Sequence, residues 1–365
     1  MNKLKSYAAS RRGRDTLLSF GIVIAAFIIV QALIAGGMIS SQIKGLLVPI
    51  CAYVVMAISL NMTVGILGEL SLGHAGFMSV GAFSGTLVYV VMSENAPQPL
   101  ALLLAFVVGG AVAGLFGVLV GIPVLRLSGD YLAIVTLAFG EIVKNVMNAC
   151  YLGVDSHGLH FSLKDSASLN LGVDGKVLIN GAMGITGIKK ASTFTIGIVL
   201  VIITLLVILN LVNSRAGRAI KAIRDNEIAA RSVGIPITKY KLMAFVTSAV
   251  FAGVAGVLYA LNYSSLVAKK FDYNTSILIL VFVVLGGIGN LRGSVIAAAV
   301  LTVLPELLRS MNDYRMLIYA IVLIVVMIFN QSPEMIALRK RLTARFRKED
   351  AEGKGAKDKE KKGVA

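Results

Sequence analysis

Apolar residues in this chain come in long unbroken runs rather than in alternation. Such runs cover residues 16–39, 45–63, 77–92, 100–124, 131–152, 193–212 and 242–261, followed by shorter ones at 276–285, 294–308 and 316–329. A helix needs about 20 apolar residues to cross the hydrocarbon of a bilayer. No alternation of the kind that marks a barrel strand is present. The pattern therefore predicts an all-α, polytopic membrane protein of about ten spans, the first of them too long to be a cleaved secretory signal. The last three runs are short, and glycine interrupts the sequence between them.

Polar stretches divide the runs unevenly. Residues 93–99 form a loop without Lys or Arg, and residues 153–190 form a long Gly-rich one with a little strand character. Residues 213–241, NSRAGRAIKAIRDNEIAARSVGIPITKYK, are strongly basic yet flanked on both sides by apolar sequence. The chain divides accordingly into a basic arm at 1–15, a transmembrane domain at 16–331 and a charged tail at 332–365, expected to be largely disordered. Within the domain, 153–190 is expected outside the cell membrane and 213–241 inside.

Composition agrees with the pattern. Of 365 residues, 57% are hydrophobic and only 15% charged, against about a quarter charged in soluble chains. The net charge of +16 is not a nucleic-acid signature, because the basic residues collect at the start, in 213–241 and after residue 338. That placement puts all three on the cytoplasmic side. Cys51 and Cys150 lie in or beside apolar runs and read as small core residues, and three scattered histidines make no metal site.

Glycines 110, 114, 117 and 121 recur at helical spacing and predict close helix packing in lipid. Glu141 and Lys144, three apart on one helix face, predict a mutual ion pair. GILGEL at 65–70 and GGIGNL at 286–291 resemble one another, each breaking apolar sequence with glycine and one polar residue. Breaks of this kind in two halves of a transporter point to a substrate path, because freed backbone groups must face a cavity, protein or water. The alternative is a pair of tight turns at the membrane surface. The path residues are then Asn61, Gly65, Gly68, Glu69, Ser71 and His74 in the first copy and Gly286, Gly287, Gly289 and Asn290 in the second. Glu69, His74 and Glu141 also raise a proton-driven transporter as a rival, although nothing in the sequence pairs convincingly with Glu69 or His74. No convergent set of nucleophile, base or metal ligands supports an enzyme.

The basic segment carries its own signals. Arg215, Arg218, Lys221 and Arg224 fall three apart, with Ala219, Ile220 and Ile223 as an apolar side, so the helix is amphipathic. Asp225 or Asn226 starts a second short helix, Gly234 suits a left-handed C-terminal position, and Pro236 enforces the stop. Such a helix-turn-helix is either a docking knob or a basic loop held at anionic lipid headgroups.

GRAIKAIRDNEIAARSVGI, together with LNMTVGILGELSLGHAGFMSVGAF and VLGGIGNLRGSVIAAAVL, resembles the LivM-type permeases of branched-chain amino acid ABC importers over roughly residues 45–330. Glu227, Ala229, Ala230 and Gly234 are similar to that family's Glu-Ala-Ala then Gly coupling pattern, with Ile228 as an extra residue. The resemblance implies a bacterial inner-membrane subunit with both termini cytoplasmic. It implies a second homologous permease, two cytoplasmic ATPase subunits and a periplasmic binding protein as partners. It also implies that Arg218, Arg224, Glu227, Ala229, Ala230 and Gly234 couple the chain to ATPases. The resemblance implies a branched-chain or related amino acid as substrate, with urea and short amides as alternatives in similar permeases. The chain has no G-x-x-x-x-G-K-[ST] phosphate loop, so no cofactor is expected on it and ATP is used by the partners.

Overall fold

The computed structural model describes residues 11–37, 40–93, 96–127, 129–155, 158–171, 175–308 and 314–331. Most of the basic arm, His157 and the charged tail lie outside them. The chain divides into two compact units, Met1–Val303 and Leu304–Ala365.

Among the described residues each apolar run of the sequence is helical over most of its length, the 131–152 run ending in strand from Tyr151. The helices in order are α1 (Arg11–Ala35), α2 (Ser41–Asn61), α3 (His74–Met92), α4 (Gln98–Val124), α5 (Asp130–Ala149) and α6 (Phe194–Asn213). The basic segment follows as α7 (Arg215–Asp225) and α8 (Glu227–Ser232), and α9 (Ile237–Ala260) leaves it. Then come α10 (Tyr273–Gly286), α11 (Leu291–Leu307) and α12 (Arg315–Gln331). Among the described residues six helices are long and apolar enough to cross a bilayer: α3 to α6, α9, and α2 with its continuation to Leu67. Helix α10, at 14 residues, rises only about 21 Å against a hydrocarbon core of about 30 Å.

The long polar loop holds a small antiparallel sheet. Its order is β2-β1-β3, from β1 (Tyr151–Asp155), β2 (Gly158–Ser162) and β3 (Lys176–Asn180). A further pair, β4 (Ile185–Thr186) with β5 (Ser265–Leu266), ties the end of this loop to the loop after α9. The strand character expected of this loop is thus present, and β3 buries Leu178 and Ile179.

The centre of the first unit is α9, packed on α4, α3 and α2. Lipid is as apolar as leucine, so helices associate through close van der Waals fit rather than burial from water. The α4 glycines supply that fit as expected. Cβ atoms built at Gly114, Gly117 and Gly121 would meet Val250, Ala249 and Leu242 of α9 at 2.7–2.8 Å. The approach is tightest where α3 crosses α9: a Cβ at Gly81 would lie 2.2 Å from the Gly253 Cα. Gly81→Val therefore forces two backbones apart, beyond the roughly 1–3 kcal/mol of ordinary overpacking. Its expected result is loss of monodisperse protein on size exclusion, whereas Gly21→Ala, in open space on helix α1, leaves the profile unchanged.

Candidate functional site

The site forms where the two glycine-broken segments meet the basic segment. Helix α2 does not stop at Asn61. It widens into a π-helical turn, Met62–Leu67, and ends at Gly68 with φ +85°. Gly65 thus sits inside a helix, and the break falls at Gly68, within the 65–70 stretch that the sequence marks. Wide turns of this kind recur at functional sites because they leave carbonyls without their usual partner. Here the Gly65 carbonyl accepts from Arg224 Nη1 at 3.0 Å.

The second break follows α10, where Gly287 (φ +95°) and Gly289 (φ +79°) turn the chain into α11. It packs directly on the first. Asn61 Oδ1 accepts from Gly289 N at 2.8 Å, and Asn61 Nδ2 donates to Ser294 Oγ at 2.8 Å. A Cβ at Gly65 would lie 2.3 Å from the Gly289 nitrogen. Asn290 closes its own turn, with its side-chain oxygen accepting from Gly293 N at 3.4 Å. Gly286 likewise allows close approach, since a Cβ there would meet Gly293 at 2.4 Å. The two segments that resemble each other in sequence are therefore one interlocked joint, with Asn61 fully buried at its centre.

Glu69 and His74 have partners, contrary to the sequence reading. Glu69 pairs with Lys241 Nζ at 2.6 Å, and the same ammonium reaches Glu227 Oε2 at 3.0 Å. Lys241 is buried near the start of α9, so one cation clamps the end of α2, the start of α8 and the second turn of α9. His74 lies apart from this clamp. Its Nε2 is 2.8 Å from Ser59 Oγ, whose own proton goes to the Met56 carbonyl at 2.9 Å, so Nε2 carries the hydrogen. The two residues join different networks because α3 starts inside the bundle while Glu69 faces its rim. Ser71 Oγ is buried without a hydrogen-bond partner among the described residues. The first N–H groups of α3 and its lead-in are satisfied by Ser276 of α10 and Thr136 of α5.

The basic segment is a helix-turn-helix, as its spacing predicts. Ser214 caps α7 by accepting from Gly217 N, and Asn226 caps α8 by accepting from Ala229 N at 2.9 Å. Gly234 takes φ +80° and ends α8. Ile220, Ile223 and Ala230 face inward, and Ile223 and Ala230 pack with Ile237 as a small core. Ala229 and Arg218 face out. So do two large apolar side chains: Ile228, the extra residue of the pattern, is 82% exposed and Val233 is 76% exposed. Glu141 and Lys144 pair as predicted, and Glu141 also accepts from the Tyr273 N–H at the start of α10.

Lys241, Ser294, Ser59, Thr136 and Ser276 carry contacts that sequence reading did not assign. A lysine just ahead of an apolar run was the available signal for Lys241. Ser294, four residues after Asn290, had the spacing of a helical neighbour.

Residues 42–327 match the family described as the permease component of the branched-chain amino acid transport system. Two curated relatives are high-affinity branched-chain amino acid transport system permease proteins LivM. The one from Salmonella typhimurium is 36% identical over 76% of this chain, and the one from Escherichia coli 35% identical over 76%. Each match spans 66% of the relative's own length, just under two thirds. The Salmonella typhimurium permease protein LivH is 26% identical over 70% of this chain and 81% of its own. These relatives are transport permeases, not enzymes. The chain, with its multi-pass helical fold, belongs to the branched-chain amino acid transport permease family.

Proposed function

We propose that this chain is the transmembrane permease subunit of an ATP-driven importer for branched-chain or related amino acids. It forms the path with a second, homologous permease and takes substrate from a periplasmic binding protein. Two ATPase subunits on the cytoplasmic side receive the knob formed by α7 and α8, in a bacterial inner membrane with both chain termini on that side.

One observation carries this reading: the exposed knob is wired to the broken spans. Arg224 of α7 holds the Gly65 carbonyl at one end, and Lys241 joins Glu227 of α8 to Glu69 at the other. A displacement of the knob therefore reaches the π-turn of α2 through two charge-assisted contacts, which are stronger than neutral ones. In this mechanism Asn61, Gly65, Gly68, Gly286, Gly287, Gly289 and Asn290 form the joint that opens and closes the inner end of the path. Glu69 transmits the motion, and Ser71 and His74 lie just beyond it. Arg218, Ala229, Ala230 and Gly234 shape the knob.

Ile228 and Val233 supply the apolar contacts that a partner's cleft would bury. The few side chains that anchor the centre of an interface weigh about 2 kcal/mol or more each, roughly thirtyfold in affinity. Ile228→Asp with Val233→Asp is expected to leave the chain folded, since both side chains face out, while ATPase subunits no longer co-purify and ATP-dependent uptake is lost. Uptake that persists in this variant, with ATPases still bound, removes the docking role. Uptake that survives ATP depletion on a proton gradient would favour a secondary transporter instead.

A further inference from the structure

Helix α5 carries an ion pair that the joint does not use. Glu141 stands about 16 Å along a helix of 20 residues, or about 30 Å, and so close to its middle. Lys144, almost one turn on, folds back onto it instead of snorkelling toward the nearer helix end. The pair is not sealed, for Glu141 remains 28% exposed and Lys144 19%. Glu141 also accepts from the Tyr273 N–H at 3.2 Å, so α10 begins beside the middle of α5 and not beside its end. That starting point accounts for the 14-residue length of α10.

A third charge joins the group. Asp272 caps α10, accepting from Thr275 N at 3.0 Å and from Asn274 Nδ2 at 2.8 Å. Burial pushes its carboxyl up, but those hydrogen bonds and the nearby Lys144 charge outweigh burial and hold it below the usual carboxylate value. Beside this group one face of α5 is uncovered: Tyr131, Ile134, Ala138, Ile142, Asn145 and Val146 lie exposed along it at helical spacing. Glu141 and Lys144 stand at the edge of that face, on the side of α10. Charged side chains within spans face the bundle interior or a water-filled cavity, because hydrocarbon solvates them so poorly. A face edged by such a pair is suited to an aqueous passage and not to lipid tails.

We propose that Glu141, Lys144 and Asp272 form a binding step in the path for a zwitterionic α-amino acid, Lys144 taking its carboxylate and the two acids its ammonium. This rests on the reading above, in which the chain lines an import path. Charge selects the occupant. Residues three apart on a helix have Cβ atoms about 5–6 Å apart, close enough for one small molecule to touch both side chains. An α-amino acid carries both of its charges on one carbon, so it can enter between Lys144 and Glu141 and give each a new opposite partner. Opening the pair for a neutral molecule would instead strand two poorly hydrated charges. Urea and short amides are neutral and leave the pair closed. Ile142 and Val146 offer hydrocarbon beside it for an aliphatic side chain. Because the new contacts replace an existing ion pair, the step holds its substrate weakly, as passage requires.

The test is photolabelling of the assembled transporter in lipid nanodiscs during ATP-driven uptake, with a diazirine analogue of leucine as the probe. The expected result is label on α5 between Glu141 and Val146, suppressed by excess leucine and not by the neutral isovaleramide. Glu141→Gln with Lys144→Gln keeps an acceptor for the Tyr273 N–H and is expected to assemble, while label on α5 and leucine uptake both fall about tenfold. Label absent from α5 in a transporter that carries leucine overturns the proposal. So does equal suppression by isovaleramide, or full uptake in the neutralised variant. Those results leave the import reading standing. Leucine uptake that needs neither ATP nor this chain overturns the import reading, and the binding step with it. Should the neutralised variant fail to assemble, the labelling and competition results on the unaltered chain decide.

Discussion

Gly65→Val is expected to produce a chain that inserts into the membrane but neither assembles nor transports. The reason is local geometry. A Cβ at Gly65 would lie 1.8 Å from Asn61 Oδ1 and 2.3 Å from the Gly289 nitrogen, a contact no real Cβ atom tolerates. Relief demands that the two broken segments separate, which removes the Asn61–Gly289 hydrogen bond and strands the buried Asn61 amide. An unsatisfied buried polar group costs about 1–3 kcal/mol, on top of about 1–3 kcal/mol or more for overpacking. Together these approach the whole stability of many domains. The check is thermal unfolding and uptake side by side. A variant with unchanged melting temperature and uptake would mean that the two segments separate freely and form no joint. Gly289→Ala tests the same contact from the other side, with a smaller effect, because its Cβ meets the Gly65 carbonyl at 3.3 Å but the residue must hold φ +79°.

Lys241→Met is expected to lower stability by about 3–5 kcal/mol, the usual cost of removing one partner from a buried ion pair. The lysine side chain is 6% exposed and that of Glu69 13%, so Glu69 would be left charged and poorly hydrated. Glu227, at 40% exposure, retains water and Arg231 at 3.3 Å, and adds little to the loss. The double variant Lys241→Met with Glu69→Gln removes the stranded charge and is expected to recover most of the stability. It should not recover transport, because the link from α8 to the end of α2 is still cut. Thermal melting separates the variants by stability, and ATP-dependent uptake separates them by coupling. Transport restored along with stability would make the clamp a packing device and nothing more.

Much of the fold was legible because the bilayer constrains sequence so strongly. Each apolar run became a helix over most of its length, and the α4 glycine stripe packed on α9 as its spacing required. The knob was legible too, since Asn226, Gly234 and Pro236 act over three or four residues. The joint was not legible in full. GILGEL and GGIGNL resembled each other as strings, but nothing in either string states that Gly65 and Gly289, far apart in the chain, touch. Nor does the string say which of its two glycines ends the helix, because a π-turn looks like any other helical run until its carbonyls find a partner.

The same division holds for the charges. Sequence alone determined the class of the protein and the ends of helices α7 and α8, since both follow from local pattern and net apolarity. Only the tertiary structure decided that Lys241 clamps Glu69 to Glu227, that Arg224 is drawn from the basic stripe to a carbonyl, and that His74 stands apart from both. Buried polar groups must be paired, yet which group pairs with which depends on helices that meet from distant parts of the chain. In a membrane, where apolar surface discriminates so little between partners, those few polar contacts and the glycine gaps choose the arrangement.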